Sequence, residues 1–132
     1  MTLKNLLLIL LLSLSTALLC GCASVSKTEI EQARFDPVPA NIETLIKQDM
    51  GTRLNDPYSA VYEFGTPRRG FSQDGFAVGG KKRLGYIIPI QVNAKNLYGA
   101  YVGYADEYYL WTEGQLFFIS GLKKSGMAKY IE

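Results

Sequence analysis

The chain of 132 residues contains no histidine and only two cysteines, Cys20 and Cys22. Zinc, haem and thiolate sites lose their usual ligands, and the Ser-His-Asp and Cys-His arrangements of nucleophilic catalysis are excluded. The excess of one sign of charge is also small, because 14 basic and 12 acidic residues give a formal net charge of only +2. No strong electrostatic field therefore attracts nucleic acid. The sequence predicts a protein that is not an enzyme, has no metal or other cofactor and binds no nucleic acid.

Residues 1–21 contain no hydrophobic run long enough to span a membrane. Lys4 precedes an apolar stretch from residue 6 to residue 19, and serines and a threonine interrupt this stretch. The layout ends with a small residue before a cysteine, and it is typical of a secretory signal peptide rather than of a transmembrane helix. We therefore expect residues 1–21 to be removed on export.

The segment Leu19-Cys20-Gly21-Cys22 resembles the lipobox of bacterial lipoproteins. The resemblance implies cleavage after Gly21 and a lipid on Cys22. The alanine that follows implies export to the outer membrane, facing the periplasm. An ordinary signal peptide with an incidental cysteine is the main alternative, and a retained amphipathic or spanning helix is a less favoured one. The mature chain would then be lipid-anchored and would have no disulfide, although export permits one.

Once residues 1–21 have been removed, the length fits one domain. Residues 22–40 begin with the lipidated cysteine and mix polar residues with two prolines, so they predict a flexible linker in which a short helix at residues 29–34 can form. Residues 41–120 are the predicted domain. The lysine-containing tail, residues 121–132, is expected to be loosely held.

The first part of this domain is predicted to be an amphipathic helix. Its apolar residues have the spacing that places them on one face of a helix: Ile42, Leu45, Ile46, Met50 and Leu54. Asn41 can cap this helix, and Asn55-Asp56-Pro57 ends it.

Period-two alternation follows and predicts strands. They cover residues 60–64, 83–92, 98–104 and a hairpin at residues 108–120, which turns at Glu113-Gly114. Pro89 indicates an edge position or a bulge. The fold class is α+β, with one amphipathic N-terminal helix packed on an antiparallel sheet of about four to five strands.

The glycine-rich stretch at residues 65–82 predicts a long flexible loop. Basic residues bracket it and are candidates for anion binding: Arg68, Arg69, Lys81, Lys82 and Arg83. Lipopolysaccharide phosphate, an anionic phospholipid or a peptidoglycan carboxylate would suit such a loop. A merely solvated surface is the alternative.

Six aromatic residues within fourteen positions form a second candidate site: Tyr98, Tyr101, Tyr104, Tyr108, Tyr109 and Trp111. Strand alternation directs about half of them inward, so core packing is favoured, and a contact surface for glycan or protein is the alternative. Asn93, Lys95 and Asn96 are expected to hold a turn by bonds to the backbone rather than to bind a ligand.

Two further segments carry a second resemblance, residues 54–64 (LNDPYSAVYEF) and residues 92–104 (VNAKNLYGAYVGY). Together they resemble a pattern of small bacterial envelope lipoproteins, which brings no catalytic residues. The resemblance supports the lipoprotein class and leaves the activity open. We expect a non-enzymatic envelope lipoprotein with a binding or assembly role, whose partner is another envelope protein, peptidoglycan or anionic lipid.

Two other function classes remain open. The first is a protective inhibitor. Residues 108–114 (YYLWTEG) resemble a segment of the membrane-bound C-type lysozyme inhibitor lipoproteins, although Glu113 stands where that family has a basic residue. A cell-wall or lipid hydrolase is disfavoured, because neighbouring strand residues such as Asp106 and Glu107 point to opposite faces and do not form a glycosidase pair.

Overall fold

The computed structural model describes residues 23–131, so the predicted signal peptide and Cys22 lie outside the described residues. Within this range the chain forms three helices and six strands. The helices are α1 (Lys27–Gln32), α2 (Ile42–Gly51) and α3 (Ser120–Lys124). The strands are β1 (Val61–Phe64), β2 (Arg68–Gln73), β3 (Lys82–Asn93), β4 (Ala105–Thr112), β5 (Gln115–Phe118) and β6 (Ala128–Tyr130). No helix among these residues is long and apolar enough to cross a membrane.

All six strands form one antiparallel sheet in the order β5-β4-β3-β2-β6, and β1 pairs with the far end of β3. The predicted α+β class with an antiparallel sheet is confirmed. The predicted number of four to five strands is wrong, because β2 and β6 form in segments that were expected to be a loop and a loose tail.

Strand β3 is the centre of the sheet and carries Pro89 in its interior. On one side β1 pairs with residues 90–93 of β3 and β2 pairs with residues 82–87. Residues 65–67 therefore oppose only two residues of β3, which is a bulge. The Gly65 N–H donates to the Pro89 carbonyl at 2.9 Å. In a strand, the backbone nitrogen and oxygen of one residue point to the same neighbouring strand. The nitrogen of Pro89, which has no N–H to donate, therefore faces the bulge, where no ladder hydrogen bond is needed. The predicted bulge is confirmed, and the predicted edge position is wrong.

Successive side chains of β3 point to opposite faces of the sheet, and each face of the sheet has its own hydrophobic core. The helix-side core joins α2 to the sheet through buried side chains: Ile42, Ile46, Met50, Ile88, Ile90, Val92 and Tyr109. The opposite core is smaller and also uses residues from the C-terminal part of the chain: Ile87, Leu110, Ile119 and Ala128. Helix α2 occupies most of the segment whose periodicity predicted a helix, but it ends at Gly51, so Leu54 lies outside it. Asn41 precedes α2 without a capping bond from its side chain, contrary to the prediction. The C-terminal segment covers the second face of the sheet.

The β4–β5 hairpin turns at the residues that the sequence indicated. Glu113 has φ of 51° and Gly114 has φ of 71°. Two consecutive left-handed residues make the type I′ turn that matches the twist of a hairpin. The predicted hairpin is confirmed.

Two other local predictions are wrong. The expected strand at residues 98–104 is a loop, in which Lys95 and Tyr101 form only an isolated bridge. Gly99 and Gly103 have positive φ, which removes the strand geometry that alternation alone suggested. The expected loop at residues 65–82 contains β2 and a 3-10 turn. Glycine at position 70 is a requirement of the sheet here, because a Cβ would lie 2.7 Å from the Lys129 carbonyl.

Residues 23–40 and the tail also differ from the expected linker and loose end. The side chain of Ser26 caps α1 and Glu29 completes the capping box. The indole of Trp111 donates to the Pro37 carbonyl at 3.1 Å. At the other end, β6 pairs with β2 and buries Ala128. Both segments owe their order to contacts with the sheet, which local composition does not reveal.

Candidate functional site

A loop at residues 93–104 is held in shape by two asparagine side chains. The Asn96 Oδ1 accepts from the backbone N–H groups of Tyr98 at 2.9 Å and Ala100 at 3.1 Å. The Asn93 Oδ1 accepts from the Gly103 N–H at 3.2 Å. These bonds confirm the predicted turn-holding role of both asparagines. The loop is therefore a defined surface rather than an open connection.

Residues 54–64 and 92–104 meet around Ser59. The Asp56 carboxylate accepts from the Ser59 N–H at 3.2 Å, and the Ser59 Oγ accepts from the Lys95 N–H at 2.9 Å. The Tyr101 hydroxyl donates to the Ser59 carbonyl at 2.9 Å. The Lys95 ammonium also lies 5.6 Å from the centre of the Tyr101 ring. The two segments form one structural unit at the end of β3.

This unit exposes seven large apolar side chains. We call six of them, all except Val61, the aromatic face: Tyr58, Leu97, Tyr98, Tyr101, Val102 and Tyr104. Tyr98 is 93% exposed, Leu97 81% and Val102 71%. Scattered exposed apolar residues are ordinary, but a group on two adjoining segments is unusual, and it makes the aromatic face a candidate interaction site. The pKa of Tyr104 is raised, first by partial burial and then by the nearby carboxylate of Glu63.

The six aromatic candidates divide between the surface and the core. Tyr98, Tyr101 and Tyr104 are on the aromatic face. The other three pack against the protein. Tyr109 is buried, and its hydroxyl donates to the Asp49 carboxylate at 2.7 Å. Burial, followed by the Asp49 carboxylate, raises the pKa of Tyr109 well above its ordinary value.

The remaining two candidates also serve packing. The indole of Trp111 is bonded to the Pro37 carbonyl. The ring of Tyr108 lies under the Lys123 ammonium at 5.2 Å. Core packing of about half of the six residues, which the sequence favoured, is confirmed for Tyr108, Tyr109 and Trp111. A contact role for Tyr98, Tyr101 and Tyr104 stays a prediction.

Sequence reasoning missed Tyr58, Leu97 and Val102. A usable signal was present, because Pro57 precedes Tyr58. Asn96 and Gly99 flank Leu97, and Gly99 and Gly103 flank Val102. Apolar residues between turn-forming residues have no strand or helix period to direct them inward. Their exposure follows from that.

A cleft of about 320 Å³ opens beside the aromatic face, between the end of α2 and the loop. Its apolar lining includes Met50, Val92 and Phe118, and Lys95 and Val102 connect it to the aromatic face. Its wall also carries charged groups that have partners of their own. The Arg53–Asp49 contact is 2.8 Å and the Glu107–Lys124 contact is 3.5 Å. The cleft has the size and lining to accept one apolar side chain of a partner.

The five basic candidates do not form one flexible loop. Arg69 and Lys82 lie on one face of the β2–β3 hairpin, whereas Arg68 and Arg83 lie on the other. On their shared face, Arg69 and Lys82 are also far apart. Lys82 pairs with Gln73, and Gln73 is four residues, or about 13 Å, along β2 from Arg69. The predicted single cluster on a flexible loop is wrong, because alternation and strand length separate the charges.

Four of these basic residues also have partners in the part of the chain that the structure describes. The guanidinium of Arg68 lies 4.3 Å from the ring centre of Tyr130, and that of Arg69 lies 4.7 Å from Phe35. The ion pairs are Lys82–Glu29 and Arg83–Asp74, both at 2.8 Å. Lys81 is exposed at the end of the hairpin. Anion binding by these side chains stays a prediction.

The Lys82–Glu29 pair gives a pH-dependent contact between α1 and the sheet. The hydrogen bond from Lys82, followed by those from Ser26, lowers the pKa of Glu29 from its ordinary 4.5 to about 2. Because the pKa of Glu29 is lower in the folded state, the ion pair contributes to the free energy of unfolding above pH 4.5. This contribution is lost as the pH falls towards 2. Carboxyl NMR titration should give a Glu29 midpoint near pH 2.

Two substitutions test the cause of this shift. Lys82→Gln should raise the Glu29 midpoint towards 4.5. Lys27→Gln is the matched control, because Lys27 contacts Glu31 rather than Glu29. A wild-type midpoint at the ordinary value would show that the ion pair does not form in solution.

Neither a carboxylate pair nor a metal centre is formed by the described residues. Asp106 and Glu107 lie on opposite faces of β4, where Asp106 accepts from Gln91 at 2.9 Å and Glu107 contacts Lys124. Within residues 23–131 no group of three or more histidine, cysteine, aspartate or glutamate side chains is placed to hold a metal ion. Both residues belong to β4, which begins at Ala105 and not at residue 108, where the sequence predicted the hairpin to begin.

Comparison with known proteins gives no further assignment: no protein-family model matches this chain, and no curated protein or solved structure is significantly similar to it.

Proposed function

We propose that this chain is a lipid-anchored, non-enzymatic protein of the bacterial envelope, exported to the outer membrane, and that it binds another envelope protein through the aromatic face. The observation that carries the binding role is the exposure of six large apolar side chains on two segments bonded together at Ser59. The lipobox resemblance of residues 19–22 supports the anchor.

A protein partner suits this surface better than a glycan. Tyrosine rings stack on sugars, but the aromatic face also exposes the aliphatic side chains of Leu97 and Val102. Tyrosine joins a large contact area to a polar tip and is enriched among the residues that dominate protein interfaces. Aliphatic residues between the tyrosines add area that only another apolar surface can use.

Preorganisation supports the same role. Asn93, Asn96 and Ser59 fix the backbone that carries the exposed side chains. A surface that is already ordered loses less conformational entropy when a partner binds. The adjoining cleft can take one apolar side chain of that partner, which gives the contact a central anchor.

Site-specific photo-crosslinking in cells tests this function. A photoreactive phenylalanine analogue at Leu97 of the full-length protein should give a discrete protein adduct. The same analogue at Glu43, an exposed position on α2, is the matched control and should give none. Tyr98→Ser should reduce the Leu97 adduct strongly, because it removes an exposed ring and no core contact.

Equal adducts from Leu97 and Glu43, or an adduct that Tyr98→Ser leaves unchanged, would contradict the proposed interface. Retention of the purified chain on peptidoglycan, lost on the same substitution, would point to the glycan instead.

A further inference from the structure

The turn between β2 and β3 carries apolar side chains on its outside. We call residues 75–81 the hairpin tip. Phe76 is 99% exposed and Val78 is 74% exposed, and both belong to one 3-10 turn. Lys81 is the only charged residue in the hairpin tip. A projecting turn with two uncovered apolar side chains and a single cation differs from an ordinary polar loop.

The backbone of the hairpin tip satisfies many of its own hydrogen bonds. Four backbone N–H groups donate across it at 2.9 to 3.1 Å: Asp74 to Lys81, Val78 to Gly75, Gly79 to Phe76 and Gly80 to Gly75. Lipid offers no hydrogen-bond partners, so a segment that enters a bilayer must pair its polar backbone groups internally. The closed turn can therefore leave water at a lower cost than an open loop.

The acidic groups near the base of the hairpin tip are paired with cations. Arg83 contacts Asp74 at 2.8 Å, and Lys82 contacts Glu29 at 2.8 Å. These pairs remove the local negative charge that anionic lipid headgroups would repel. Lys81 is left beside the apolar side chains, where it can meet a headgroup phosphate while they enter the acyl region.

The start of the described chain lies on the same half of the sheet. The Lys129 ammonium donates to the Ala23 carbonyl at 3.2 Å, and Lys129 pairs with Phe71, two residues before the end of β2. Helix α1 then contacts the base of the hairpin tip through Glu29. Ala23 follows directly on Cys22 in the chain, so a lipid on that cysteine would leave the protein near the hairpin tip.

We propose that the hairpin tip inserts Phe76 and Val78 into the interface of an anionic lipid bilayer, as a second membrane contact beside the lipid on Cys22. The apolar side chains, the paired backbone and the neighbouring cation carry this inference. Only the position of the lipid on Cys22 rests on the proposed function. The aromatic face lies at the other end of β3, twelve residues or roughly 40 Å away. Insertion of the tip therefore holds the aromatic face away from the membrane.

Quenching of tryptophan by brominated lipid tests the insertion. The wild-type chain has a single tryptophan, Trp111. Phe76→Trp adds one at the hairpin tip, and Tyr98→Trp adds one at an equally exposed position on the aromatic face. The mature, lipid-bearing proteins are purified from cells and mixed with vesicles of phosphatidylcholine and phosphatidylglycerol that carry bromine on their acyl chains. Most of the emission added by Phe76→Trp should be lost, whereas the emission added by Tyr98→Trp should persist.

Each other outcome overturns one proposal. If Phe76→Trp is quenched no more than Tyr98→Trp, the hairpin tip does not insert. A Phe76→Trp/Val78→Asp variant should lose the quenching, and unchanged quenching there also contradicts insertion by these side chains. Flotation reports the anchor separately, because a wild-type chain that stays out of the vesicle fraction overturns the lipid on Cys22. Flotation of the protein without quenching of Phe76→Trp overturns the insertion of the hairpin tip alone.

Discussion

Replacement of Cys22 by serine is expected to abolish lipid anchoring and leave an uncleaved precursor or a released form. Each buried methylene of an acyl chain contributes about 0.8 kcal/mol, so two or three chains make dissociation negligible, whereas one chain gives only marginal binding. Fractionation, gel migration and metabolic labelling with a fatty acid measure the change. Labelled wild type should be in the membrane fraction, and the variant should carry no label.

Cys20→Ser is the matched control for this experiment. It removes the other cysteine of the chain, but the lipobox resemblance places Cys20 in the segment that is cut away. This variant should therefore be labelled and fractionate like wild type. A Cys22→Ser chain that keeps its label and migrates like wild type would refute the anchor.

Replacement of Ile46 by alanine is expected to cost about 2 to 5 kcal/mol of the free energy of unfolding. Ile46 is fully buried between α2 and the sheet, in contact with the helix-side core. Such a loss is a large part of the 5 to 15 kcal/mol that a typical domain has. The shift in the urea midpoint at constant slope measures it.

Glu43→Ala is the control on the same helix. Glu43 is exposed, so its replacement should change the free energy of unfolding by no more than about 0.5 kcal/mol. Leu45 is only half-buried, and its truncation should give an intermediate loss. Equal losses at positions 43 and 46 would mean that α2 does not pack on the sheet through the Ile42, Ile46 and Met50 face.

Local patterns were sufficient for elements that are stabilised within one segment. The spacing of Ile42, Ile46 and Met50 predicted α2, and the Glu113-Gly114 turn predicted the β4–β5 hairpin. Strands β2 and β6 were not predictable in this way. Gly70 weakens the local strand pattern, yet the close approach of Ile87 requires glycine there. Pairing partners that are distant in the chain decide such positions, and a single sequence does not display them.

The candidate site was predictable to a similar degree. The side chains of Asn93 and Asn96 act on their own neighbourhood, and their turn-holding role was foreseen. The contact of Tyr101 and Lys95 with Ser59 joins segments more than thirty positions apart, and no periodic pattern connects them. The same limit applies to Arg68 and Lys82, whose separation follows from strand register rather than from their distance in the sequence.

Strand β3 connects the two proposed contact regions, and this has a mechanical consequence. It pairs with β2 and β1 on one side and with β4 on the other along most of its twelve residues. Strand β3 joins the hairpin tip covalently to the loop that carries the aromatic face. Tension between a membrane at the tip and a partner at the aromatic face would therefore pass along the backbone of β3. The hydrogen bonds to β1, β2 and β4 would keep this strand extended and hold the two contact regions at a fixed separation.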